Sequence, residues 1–148
     1  MKRTDTQNGI SFLLLCLLLL SASTVAQAGD KNQCLMCGMK LENYSHVRYT
    51  VTDTSSKQYV TCGVQCGLLL QVNLAGKFKN STMTDLISHR TIPAEKGWYV
   101  FKSSAITDMA PGLIGFWKKS EAEKFIKGFG GELLEYDQAL ARAQKGYR

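Results

Sequence analysis

His46-Val-Arg-Tyr-Thr-Val-Thr-Asp53 alternates along its length, with Val47, Tyr49 and Val51 on one side and His46, Arg48 and Thr50 on the other. A period of two predicts a strand with one buried face. Asp53-Thr-Ser-Ser56 has the composition of a turn, and Lys57 to Thr61 reads as the returning strand, ending at Cys62. From Val64 to Leu74 the period becomes helical, with Val64, Leu68 and Val72 in register, and Gly76 stops the run. Ser81 to His89 alternates again, Met83 and Ile87 against Thr84 and Ser88, and predicts a third strand. The order strand, strand, helix, strand is one small lobe.

The same order returns downstream. Thr91 to Lys96, with Pro93, reads as a connector; Gly97 to Lys102 is an apolar strand buried on both faces; Asp108-Met-Ala-Pro-Gly112 is a loop; Leu113 to Trp117 is the return strand. Ser120-Glu-Ala-Glu123 has the form of a capping box. It opens a helix whose Ala122, Phe125, Ile126 and Phe129 share a face, and which ends at Gly128, Gly130 and Gly131. Glu132 to Tyr136 reads as a strand, and Asp137 as the cap of a last helix, Gln138 to Ala143. Trp98, Tyr99 and Trp117 are expected in the second lobe's core. The fold class is α+β: two similar ββαβ lobes with a C-terminal helix, layered face to face around a cleft.

Upstream, Lys2 and Arg3 precede an apolar run from Phe12 to Leu20, followed by Ala26-Gln-Ala28. This is the pattern of a cleavable signal peptide over residues 1–28, with an apolar stretch shorter than the ~20 residues a spanning helix needs. Cys16 leaves with it, and Leu15 before it does not suit a lipoprotein site. The predicted layout is a signal peptide at 1–28, a Cys-rich arm at 29–45, the first lobe at 46–90, the second lobe with its helix at 91–143, and a tail at 144–148. The predicted address is periplasmic or exported.

The formal net charge of the 148-residue chain is +6, and its basic residues are spread, with a mild excess toward the C-terminus. Such a balance suits an acidic partner or peripheral contact with an anionic membrane surface; an exported chain of this kind is not expected to meet nucleic acid. No Ser/His/Asp arrangement, phosphate loop or isolated carboxylate pair appears, so no enzymatic activity is expected.

The chemistry lies in sulfur. Cys34-Leu-Met-Cys37-Gly-Met39 and Thr61-Cys62-Gly-Val-Gln-Cys66 hold the four cysteines outside the signal. Cys34-x-x-Cys37-Gly is a knuckle turn, near the mature N-terminus where order is usually low. Cys62 and Cys66 bracket a strand-to-helix junction, where the helix dipole favours a thiolate. Together they form a four-thiolate set of the kind that binds zinc. Met39 lies two residues after Cys37, on the same side of an extended segment, and thioethers favour Cu(I) over Zn(II). Met109, in a loop with no evident core to enter, is placed to complete a sulfur-only site across the lobe interface. Met36 and Met83 read as structural. His46 and His89, each in a predicted strand, read as surface or hydrogen-bonded residues. Two alternatives stay open: a structural Zn(II) site, or a pair of disulfides in an oxidising compartment. An oxidoreductase fits less well, because its C-x-x-C sits at a helix N-terminus.

Cys37-Gly-Met39, Gly97-Trp-Tyr-Val100, Met109-Ala-Pro-Gly112 and Ser120-Glu-Ala-Glu-Lys-Phe with Gly130-Gly131 resemble, in that order, landmarks of the nitrous oxide reductase accessory protein (NosL) family. The resemblance covers about residues 34–140. It implies an exported protein with two ββαβ lobes that binds Cu(I) through Cys37, Met39 and Met109. The implied partner is a copper-accepting exported or membrane protein, nitrous oxide reductase or another cuproprotein. Cys34, Cys62 and Cys66 exceed the family's Cys-x-Met pattern and resemble a four-cysteine subgroup, whose metal and recipient need not be the same.

Overall fold

The computed structural model describes residues 32–110 and 112–145. The signal peptide and the last residues of the tail lie outside them. Among the described residues seven strands and three helices follow one another: β1 (Tyr49–Asp53), β2 (Gln58–Thr61), α1 (Val64–Leu74), β3 (Phe78–Thr84), β4 (Thr91–Pro93), β5 (Trp98–Phe101), β6 (Leu113–Phe116), α2 (Lys119–Phe129), β7 (Glu132–Leu134) and α3 (Tyr136–Lys145).

The strands form two antiparallel sheets, ordered β2-β1-β3-β4 and β6-β5-β7. In each sheet the first strand of the ββαβ unit lies in the middle, flanked by its hairpin partner and by the strand after the helix. The two lobes thus share one topology. They share one core as well: Tyr49, Val51, Leu68 and Met83 cluster with Tyr99, Phe101, Leu113 and Leu134. The helix α3 lies on α1, with Ala139 and Ala143 fully buried. A polar seam crosses this packing. The Tyr49 hydroxyl donates to Gln71 Oε1 at 3.1 Å and bonds Ser81 Oγ at 2.8 Å, while Gln71 Nε2 donates to the Tyr136 hydroxyl. Buried polar groups need such partners, and Gln71 finds its own in both lobes.

Several predicted boundaries move. The first strand begins at Tyr49 because Leu41–Tyr44 forms a 3-10 turn ahead of it, which leaves His46 in a turn. The third strand is Phe78–Thr84, not Ser81–His89. Asp85 ends it: its carboxylate accepts from the Ser88 amide and hydroxyl, and from the Trp117 amide at 2.8 Å. Local Asx chemistry overrides the alternation here. His89 takes φ 57° in the resulting turn, and Ile87 is exposed rather than paired with Met83 inside. The expected connector Thr91–Lys96 begins as β4, the edge strand of the first sheet, and continues as a 3-10 turn. Its proline is tolerated because an edge strand has one unpaired side.

The Ser120 capping box does not form. Lys118 is the N-cap, without a side-chain bond, and its carbonyl accepts the first amides, from Glu121 and Ala122. The last helix starts at Tyr136, so Asp137 sits in its first turn instead of capping it; Gln138 reaches back to the Glu135 amide at 2.8 Å. Of the aromatics expected inside, Tyr99 is fully buried and Trp98 partly, whereas Trp117 is 43% exposed.

Candidate metal centre

The first cysteine pair is shaped by backbone bonds. Gln33 bridges Lys40, the Cys34 amide donates to the Met39 carbonyl at 2.8 Å, and the Gly38 amide donates back to the Cys34 carbonyl at 2.8 Å. This closes the knuckle, and Gly38 takes the φ of +76° that the bend needs and that glycine adopts without strain. The segment is therefore a turn, not the extended run that would place Cys37 and Met39 side by side. Nor is the arm loose against the body: Cys34 and Leu41 are buried, and Arg48 Nη2 donates to the Leu41 carbonyl at 2.9 Å.

The second pair comes from the strand-to-helix junction. Cys62 follows β2, Gly63 is the extended N-cap residue of α1, and Cys66 is in the helix's first turn. The Thr61 hydroxyl fixes the junction by donating to the carbonyls of Tyr49 and Gly63, both at 3.1 Å.

The fold brings these pairs together. The sulfurs of Cys34, Cys37, Cys62 and Cys66 all lie within 4.8 Å of one another, with Cys37 and Cys62 at 3.4 Å. All four are free thiols; Cys37 is exposed and the others are buried. Metal–sulfur bonds of about 2.3 Å place tetrahedral thiolates roughly 3.8 Å apart, so only small shifts are needed to close on one ion, the Cys37–Cys62 pair widening slightly and longer separations shortening. Met39 and Met109 pack against this cluster, as does Met36. Met36, which reads as structural in the sequence, packs against both the main core and the cysteine cluster. Met83 is a core residue. His46 and His89 do not join the cluster: among the described residues it contains cysteines alone.

The thiols do not ionise alike. Hydrogen bonds from Cys62 and Cys66 stabilise the Cys34 thiolate and lower its pKa. Donating to Cys34 keeps the protons on Cys62 and Cys66, and burial adds to the upward shift of both. The three buried thiols therefore titrate as a linked set, with Cys34 the one most ready to give up its proton.

A carboxylate completes the surroundings. Asp108 lies against Gly63: a Cβ built on Gly63 would fall 1.9 Å from Asp108 Oδ2. That oxygen is buried with no hydrogen-bond partner. Burial raises the Asp108 pKa, against the pull of the Met109 amide and the Thr107 hydroxyl. Asp108 escaped the sequence reading because a loop carboxylate gives no sign of burial. Gly63, between a strand and a cysteine-bearing helix, was the available signal of a close approach.

The fold and site together define a two-lobed α+β protein with a four-thiol, thioether-lined centre suited to a soft metal. The profile of the NosL family matches residues 25–142. The chain belongs to the NosL family. It is similar in fold to the crystal structure of the copper chaperone NosL from Shewanella denitrificans. The TM-score is 0.65 and the identity 24%, over 78% of this chain and 96% of that one. No curated protein matches the chain.

Proposed function

We propose that this protein is an exported carrier of Cu(I), which it takes up on the cysteine cluster and passes to a copper-accepting protein. The ligands are drawn from Cys34, Cys37, Cys62 and Cys66, with thioethers from Met39 and Met109. The observation that carries the proposal is the convergence of four thiols and flanking thioethers, three thiols buried and one exposed. A purely structural site has no use for an open corner. A carrier does, since the ion leaves by exchanging one sulfur ligand at a time for those of the recipient, and Cys37 is where a recipient's sulfur can approach. Thioethers favour Cu(I) over Zn(II), and no electron changes hands in the transfer. Family membership, and the copper chaperone that shares the fold, support copper as the cargo. Nitrous oxide reductase is the recipient the family suggests, and a periplasmic address follows from the N-terminal signal pattern. Among the described residues no helix is long and apolar enough to cross a membrane.

Anaerobic titration with Cu(I) against a competing chelator tests this. One equivalent is expected to bind, with affinity falling sharply in Cys37→Ser combined with Met39→Ala; unchanged affinity in that variant overturns the proposal. A second reading is favoured by the four-sulfur geometry itself: a zinc tetrahedron that holds the arm to the body. Zinc would then co-purify at one equivalent, and its removal would unfold the arm and first lobe.

A further inference from the structure

Outside the thiol cluster, a cavity of about 290 Å³ opens on the outer face of the first sheet. Its lining follows from strand periodicity. Tyr49 and Val51 face the core, so Arg48 and Thr50 face out. Across the ladder Thr50 faces Thr82, and Thr84 faces Thr91. His89 closes one side, held in the turn by its amide bond to the Asp85 carbonyl at 2.9 Å. Ser45 contributes from the arm side.

Two features set this cavity apart from an ordinary solvated face. First, Arg48 is fixed, with Nη2 bonded to the Leu41 carbonyl, yet its Nε is buried and has no partner. A buried donor on a cation without an acceptor is costly, so a small shift of the side chain that opens Nε to an acceptor in the cavity is favoured. Second, besides Val60 and Met83, the lining consists of a guanidinium, an imidazole and several hydroxyls, with no carboxylate. No fixed negative charge repels an anion, and no acid is present to neutralise Arg48 from within the lining. A guanidinium fork matches the oxygens of a tetrahedral anion, and threonine hydroxyls supply further donors. A metal cation is disfavoured by Arg48, and an apolar ligand by walls that are polar except at Val60 and Met83.

We propose that this cavity binds a single phosphate-class oxyanion, with Arg48 as the charged anchor and the threonine hydroxyls and His89 as further donors. The anion comes either free from solution or as the phosphodiester of a lipid headgroup.

The test is a titration of the reduced, isotope-labelled protein with inorganic phosphate, followed by amide NMR in a phosphate-free buffer at constant ionic strength. Saturable shifts are expected at residues 48–50, 82–84 and 89–91. Arg48→Gln should weaken binding by about tenfold or more, the loss of one charge-assisted bond. Thr82→Val, of the same shape on an exposed strand face, should weaken it severalfold without disturbing the fold. Thr82→Val and His89→Ala decide the matter if Arg48→Gln does not fold. Phosphatidylglycerol vesicles that compete with phosphate identify the headgroup as the source; vesicles without effect, while phosphate binds, identify the free ion. Absence of saturable shifts at these residues, or one dissociation constant shared by the parent and the variants, overturns the proposal.

Discussion

Replacing Gly67 by alanine sets two effects of opposite sign against each other. Gly67 lies in the middle of α1, where propensity alone predicts a gain of about 1 kcal/mol for alanine. Packing predicts a loss. An added Cβ would lie 2.1 Å from Cδ1, 2.3 Å from Cγ and 2.6 Å from Cβ of Tyr49. Those atoms are the root of the ring, and the ring cannot swing aside while its hydroxyl is held by Gln71 and Ser81. The helix must instead back away, loosening Leu68 in the core and shifting Cys66 from the other thiols. Overpacking of this kind costs about 1–3 kcal/mol, and the immovable neighbour puts Gly67 at the upper end. The net expectation is a loss of about 1–2 kcal/mol, or a fall in Tm of roughly 4–8 °C for a domain of this size. Gly128 in α2 is the control. A Cβ there meets nothing within 4 Å, so Gly128→Ala should raise stability by up to about 1 kcal/mol. Thermal melts of both variants, reduced and metal-free, read the two signs. A Gly67→Ala protein as stable as Gly128→Ala would refute the packing argument.

Asp85→Asn should lower stability at pH 7 by about 1–3 kcal/mol, because a carboxylate holding Ser88 and the Trp117 amide is weakened. Burial opposes its ionisation, but those bonds outweigh it and hold its pKa below the ordinary value. Its contribution is therefore complete above about pH 4, the unfolded value, and is lost as pH falls through the lower folded value. Urea melts of parent and variant should converge in acid; a gap that does not narrow contradicts this assignment. Gly63→Ala should displace the Asp108 carboxylate, and with it the loop carrying Met109, so that Cu(I) affinity falls about as far as in Met109→Ala. The double variant should be little weaker than either single one, whereas additive losses in chelator competition would show that the loop is not seated through Gly63. Arg142→Ala removes an exposed pair with Glu132 and should change stability by under about 1 kcal/mol; a larger drop in a melt would mean that its guanidinium over the Phe101 ring matters more than the ion pair.

The two ββαβ lobes were legible in the sequence because their signals are local. The alternation of Val47, Tyr49 and Val51 and the helical spacing of Val64, Leu68 and Val72 each state a period that burial enforces, and α1 begins and ends where that spacing predicts. The errors were local too. Asp85, Lys118 and Glu135 end or start elements through backbone and side-chain bonds that outcompete a pattern. The sulfur chemistry was equally visible as residue types: two cysteine pairs and nearby methionines require only a list of side chains. Their convergence required the fold. Cys37 and Cys62 are 25 residues apart, and Met109 reaches them from the other lobe. Which cysteine stays exposed, that Asp108 Oδ2 is buried against Gly63, and that Arg48 faces an acid-free cavity depend on how the sheets, helices and loops stack. Periodicity within a segment reports which face is buried, but not what lies across from it, because that partner comes from distant chain held by the shared core.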